Sequence, residues 1–347
     1  MSSKKPDKGA RMEEALRTYF RELGYFVIRG VPFKYEGFDV TDIDLWLYTR
    51  TSSVARQRAI VDIKNRKTPQ AIERIFWVKG LQRAVSADQA IIATTDKRAE
   101  VRDFGREMDV TVLDGLFTSR LLKKYETSND RLSETEFAEL ISRSTLGKLD
   151  GDWRGRYDDG KGKLASGLSF DNCNRWLQHG RFFAEQILTR PQQKEAACRL
   201  LYMFAAFLCV GVDYLLRDLS FTEQAEKNKA LSEGFTYGSR GIDGTEQLLN
   251  AASGLVQQFS PNGEQIARDI RGRVKEEFSR LRSNILSEYF GRSEVGRQLF
   301  HMARNFEQTA MHKTFAPPPS LEPGIIGMIG ALLDYWEIER KKILGAF

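Results

Sequence analysis

The sequence predicts an α/β domain with a mixed sheet over residues 1–125, a connecting segment over 126–167 and an all-α domain over 168–347. Three observations carry this. The 347 residues exceed the roughly 100 to 200 of an ordinary domain. Short β-branched runs alternate with helical periodicity in the first third, whereas nearly everything beyond is helical. Between Gly147 and Gly167 the run GKLDGDWRGRYDDGKGKLASG has a glycine every few residues and reads as a linker, which sets the boundary near residue 145.

Met12, Leu16, Tyr19, Phe20 and Leu23 recur at helical spacing and stop at Gly24, so the chain opens with a helix. Residues 25–29 (YFVIR), 40–48 (VTDIDLWLY) and 59–64 (AIVDIK) follow as strands. Thr68 and Pro69 suit the N-cap and first position of a helix to about residue 85. A strand at 89–94, a helix at 97–108 and a strand at 110–113 complete the order α-β-β-β-α-β, then α-β.

Downstream, helices are expected over 172–188, 191–219, 245–259, 264–290, 294–313 and 324–344, with Pro191 in a first turn and Ser293 as an N-cap. Pro317 to Pro319 reads as a stiff hinge. The apolar run 200–216 is interrupted by Asp213 and falls short of the roughly 18 to 20 residues of a bilayer span, so a buried core helix is expected. With 325–333 it holds more apolar surface than one amphipathic face needs, which points to self-association or a protein partner through the helical half.

Hydrophobic residues at 41% and charged residues at 29% exclude a disordered or fibrous chain. Cys173, Cys198 and Cys209 contain no CxxC pair, which excludes a cysteine zinc cage and a disulfide framework and suits a reducing compartment. The N-terminus MSSKKPDKGAR lacks an apolar signal segment, so a cytoplasmic protein is expected. Residues 1–125 carry 24 Lys and Arg against 17 Asp and Glu, a charge of +7, while the remainder has 29 against 30. Positive charge confined to one segment suits phosphate binding, with a solvated basic surface as the alternative. His179, His301 and His312 all lie in the second half, so chemistry in the first domain must rest on carboxylates and lysine.

Two strands carry acids where apolar residues are the rule. Asp42 and Asp44 share one face of their strand, as do Asp62 and Lys64, because side chains alternate with period two. Carboxylates at strand ends suit Mg²⁺, which takes one or two of them and keeps waters and phosphate oxygens as its other ligands. A lysine beside them can hold or deprotonate an attacking water, a combination that fits phosphodiester hydrolysis.

Glu13, Asp44 and the tripeptide Asp62-Ile63-Lys64, in an α-β-β-β-α-β order, resemble the PD-(D/E)XK nuclease superfamily. The Mrr-type restriction endonucleases are the nearest likeness. MEEALRTYFRELGY is similar to their opening helix, with Glu13 eleven residues before Gly24, and QAIIATTDKRAEVRDFGREMDVTVLDG is similar to their closing β-α-β segment. The resemblance covers residues 10–118. It implies a restriction-endonuclease-like fold in which Asp44 and Asp62 bind Mg²⁺ (or Mn²⁺), Lys64 acts on the nucleophilic water and Glu13 is an accessory acid. The superfamily's motif proline is absent before Asp44, where Thr41-Asp42-Ile43 stands instead. Asp42 thus stays open as an alternative ligand. The resemblance further implies a DNA endonuclease of bacterial defence. The alternative is a non-catalytic nucleic-acid-binding or protein-interaction protein with a degenerate nuclease fold.

Overall fold

The computed structural model describes residues 8–65, 70–125 and 130–347. Helix α1 (Lys8–Glu22) leads into β1 (Phe26–Tyr35), β2 (Phe38–Arg50) and β3 (Arg56–Lys64), which pair antiparallel in sequence order. Then come α2 (Ala71–Ala84), β4 (Gln89–Thr94), α3 (Ala99–Glu107) and β5 (Thr111–Leu113), whose strands add parallel to β3. The product is a mixed five-stranded sheet in the order β1-β2-β3-β4-β5. Thr68 and Pro69, expected at the start of α2, lie outside the described residues.

The first hairpin is longer than its sequence suggests. Gly30 and Pro32 read as breakers, yet β1 is an edge strand, where a proline without its N–H need cost no ladder bond. Glu36 and Gly37, at φ of +46° and +89°, supply the two left-handed residues of a tight hairpin loop.

Alternation divides the sheet into two faces. On one, Val27, Leu45, Leu47, Val61 and Ile91 pack against Met12, Leu16 and Phe20 of α1 and Leu121 of α4 (Gly115–Lys124). On the other, Phe26, Ile28, Trp46, Tyr48, Ile60 and Ile92 meet Ile75 and Val78 of α2 and run without a break into the core of the helical half.

That half comprises α5 (Glu134–Arg143), α6 (Trp153–Ala165), α7 (Phe170–Thr189), α8 (Lys194–Leu216), α9 (Gln224–Tyr237), α10 (Gly241–Phe259), α11 (Gly263–Arg280), α12 (Ser283–Gly291), α13 (Ser293–Met311), α14 (Pro323–Tyr335) and α15 (Arg340–Leu344). The expected single helix over 264–290 is broken at Leu281 and Arg282, and α9 had no counterpart in the sequence reading. Ser293 is the first residue of α13 rather than its cap, and Arg292 holds the cap position without a side-chain bond. Pro318 to Ser320 form a 3₁₀ turn with Pro318 buried, not an open hinge.

The glycine-rich linker requires a larger correction, because residues 153–165 form α6 with Trp153, Tyr157 and Leu164 buried along one side. At Gly160 a Cβ would stand 2.3 Å from the Phe204 ring of α8, so that glycine serves close helix approach rather than flexibility. Helix α8 is apolar and long enough to cross a membrane by composition, yet 89% of its apolar window is buried within the fold. Residues 325–333 are consumed in the same core.

Two buried acids tie the halves together. Asp213 of α8 is fully buried and accepts from the Tyr48 hydroxyl at 2.6 Å, Arg50 Nη1 at 3.0 Å and Arg56 Nε at 2.5 Å. Glu307 of α13 accepts from Arg17 Nη2 at 3.0 Å and from Arg131, with Arg21 Nε at 3.5 Å. Burial alone would raise the Glu307 carboxyl, but the guanidiniums of Arg131, Arg21 and Arg17 hold it down at about 2. Its pKa is depressed on folding, so its contribution is complete above the ordinary value of 4.5 and is lost as pH falls toward about 2. Glu307→Gln should cost about 3 kcal/mol at pH 7, from the size of that shift. Urea denaturation of variant and wild type at pH 7, 4 and 3 should show the gap closing as the pH drops.

Candidate active site

The β2–β3 ladder ends at Leu45 opposite Val61, one residue before Asp44 would face Asp62. Freed from the ladder, Asp44 turns its Oδ2 onto the Ile63 amide at 2.6 Å. By alternation Asp44 continues the row of Trp46 and Tyr48, and Asp62 and Lys64 continue the row of Ile60, so all three stand on the face that carries α2. Lys64 Nζ is 4.0 Å from Asp62 Oδ1 and remains about a third exposed, with its side chain at 32%.

The four residues singled out in the sequence meet electrostatically at Asp44. Burial pushes its carboxyl up to about 7, against the pull of the Ile63 amide; the charges of Asp62 and Glu13 add to the rise and Lys64 opposes it. Asp42 takes no part in this cluster. It is exposed, pairs with Pro32 of the edge strand and lies beyond the end of the β2–β3 ladder.

Glu13 reaches the site's flank from α1 and accepts from Arg29 Nε at 2.5 Å. Glu14 also faces inward and accepts from Arg29 Nη1 at 2.8 Å and from the Glu134 amide at 3.0 Å. The reason is that α5 and α6 cover this side of α1. Lys161 of α6 is almost fully buried and donates to Glu134 Oε1 at 2.8 Å and to the Arg29 carbonyl at 3.3 Å. The helical half thus reaches Glu13 through a chain of opposite charges.

Sequence reasoning missed Arg74. From the first turns of α2 its Nε donates to Asp62 Oδ2 at 2.8 Å and its Nη2 to Oδ1, a two-point fork on the acid closest to Lys64. An arginine on a helix looks like a solvated residue in sequence, and only the β3–α2 packing shows otherwise.

Among the described residues no three His, Cys, Asp or Glu side chains come together closely enough to hold a metal ion alone. Mg²⁺ needs only one or two carboxylates. Asp44 and Asp62 offer that hard-oxygen pair, and a cation would offset the burial that chiefly raises Asp44 as well as the smaller push from the charges of Asp62 and Glu13. The donor set fits such an ion once Arg74 gives up its fork on Asp62. Compared with known proteins, the chain matches no family model, no curated protein and no solved structure.

Proposed function

We propose that this chain is a Mg²⁺-dependent DNA endonuclease whose N-terminal domain has a restriction-endonuclease-like fold. The observation that carries the proposal is the placement of the half-buried Asp44 against the Ile63 amide, next to Asp62 and Lys64, where the β2–β3 ladder ends. Asp44 and Asp62 would hold the cation, with Mn²⁺ as a substitute; when bound, it supplies Lewis-acid polarisation of a phosphoryl oxygen and of water. Lys64, whose Nζ stands beside Asp62 while still reaching solvent, would orient the attacking water and neutralise charge on the phosphate as an ammonium, or take the water's proton as the neutral amine. Glu13, held by Arg29, acts as an accessory acid that adds negative charge at the cation's flank. A cytoplasmic setting in bacterial defence rests on the resemblance alone.

One observation favours the non-catalytic alternative. Arg74 already neutralises Asp62 and Arg29 already neutralises Glu13, as expected where a degenerate site has traded its cation for guanidiniums. Titration calorimetry separates the two readings. Wild-type protein should bind Mn²⁺, and Asp44→Asn with Asp62→Asn should abolish that binding; an absence of binding in wild type favours the degenerate site.

The charge of +7 over residues 1–125 leads to a separate expectation. Full-length protein should bind duplex DNA without sequence preference, with affinity falling steeply as salt rises from 50 to 200 mM, because neutralised phosphates release counterions. Salt-insensitive binding in an electrophoretic shift series would contradict this. As for assembly, both apolar segments expected to drive it are spent in the core. The α10–α11 hairpin, with Leu248, Leu255 and Phe259 exposed, is one face of the helical half that could serve self-association or a protein partner.

A further inference from the structure

The outer side of α2 is unusual for a helix beside a catalytic cluster. Its inner side buries Ala71, Ile75, Val78 and Leu81 against the sheet. Opposite them Phe76 and Trp77 stand 56% and 43% exposed. Phe76 leans edge-on against Phe104 with centroids 5.5 Å apart, which accounts for its position. Trp77 is different. The Arg74 guanidinium lies over its ring at 5.3 Å, and the same guanidinium forks onto Asp62. Ring, guanidinium and candidate metal ligand therefore form one continuous stack, and the indole keeps much of its surface open to solvent.

We infer that Trp77 is a stacking platform for an unpaired nucleobase, so that the nucleic acid engaged at this site is single-stranded, or locally opened, where it passes α2. The inference rests on the nuclease reading and names its substrate class. An exposed indole offers a π-face that any base can use, and a guanidinium held over it strengthens such a site. Bases inside an intact duplex already stack on each other and cannot use a ring on a helix surface without being unstacked first. Charge complementarity selects a polyanion rather than an apolar partner. Arg74 stands over the ring, Lys79 and Arg83 lie on the same helix, and Glu73 is the only acid in α2.

The test uses full-length protein in EDTA, so that binding is read without cleavage. Fluorescence anisotropy would follow a labelled single-stranded DNA oligonucleotide and the same sequence as a duplex, with wild type, Trp77→Ala and Trp77→Phe. The expected result is about tenfold weaker single-strand binding for Trp77→Ala, in line with the loss of one stacked base. Trp77→Phe should stay within about twofold of wild type on the single strand, and duplex binding should be unchanged in both variants. Unchanged single-strand binding by Trp77→Ala overturns the inference and leaves the proposed nuclease intact, as does equal weakening on duplex, or a phenylalanine variant as weak as the alanine one. Failure of wild type to bind either DNA overturns the proposed function along with it.

Discussion

Asp213→Ala is expected to cost about 3–5 kcal/mol of folding free energy, the range for removing one partner of a buried ion pair. The carboxylate is fully buried between the halves and takes both oxygens' worth of donors from Arg50, Arg56 and Tyr48. Alanine leaves the Arg56 guanidinium, itself only 2% exposed, without its counter-charge. Because the sheet and helical half share one core, chemical denaturation should give one transition by both fluorescence and circular dichroism, shifted as a whole in the variant. Two separated transitions, with only one shifted, would show that the halves fold independently.

Lys64→Ala is expected to lower metal-dependent cleavage by about 10²–10⁴-fold, the usual contribution of a positioned proton-transfer group. Stability should be nearly unchanged, because the ammonium is partly exposed and its contact with Asp62 is long, at 4.0 Å. Asp62→Asn and Asp44→Ala should lose at least as much activity by removing a ligand, and Glu13→Ala less, since Glu13 is already paired with Arg29. Plasmid nicking rates measured with circular dichroism on the same samples separate lost chemistry from lost fold. A Lys64→Ala protein that cuts like wild type would remove lysine from the mechanism.

The acids were legible because they break a pattern. Asp44, Asp62 and Lys64 interrupt runs that otherwise alternate as buried strands, and Glu13 sits on the border of a clean helical stripe. Strand and helix order could be read for the same reason, since periods of two and 3.6 are local properties of the chain. What escaped is set by contacts between distant residues. Asp213 registered only as an interruption of an apolar run, because its partners Arg56, Arg50 and Tyr48 lie 157 to 165 positions away. Arg74 and Arg29 looked like surface charges until packing placed them on Asp62 and Glu13. The glycines of α6 read as flexibility in the sequence, although at Gly160 a missing Cβ is what lets Phe204 approach. Composition does not separate a glycine that bends a chain from one that admits a neighbour.

The central claim, a metal-dependent phosphodiester hydrolase built on Asp44, Asp62 and Lys64, is tested most directly by incubating purified wild-type protein with supercoiled plasmid and Mg²⁺ or Mn²⁺. Conversion to nicked and linear forms, stopped by EDTA and strongly slowed in Lys64→Ala, is the expected result. Plasmid that stays supercoiled with either cation, in the presence of protein shown to bind it, would contradict the claim and leave a nuclease-like fold that holds DNA without cutting it.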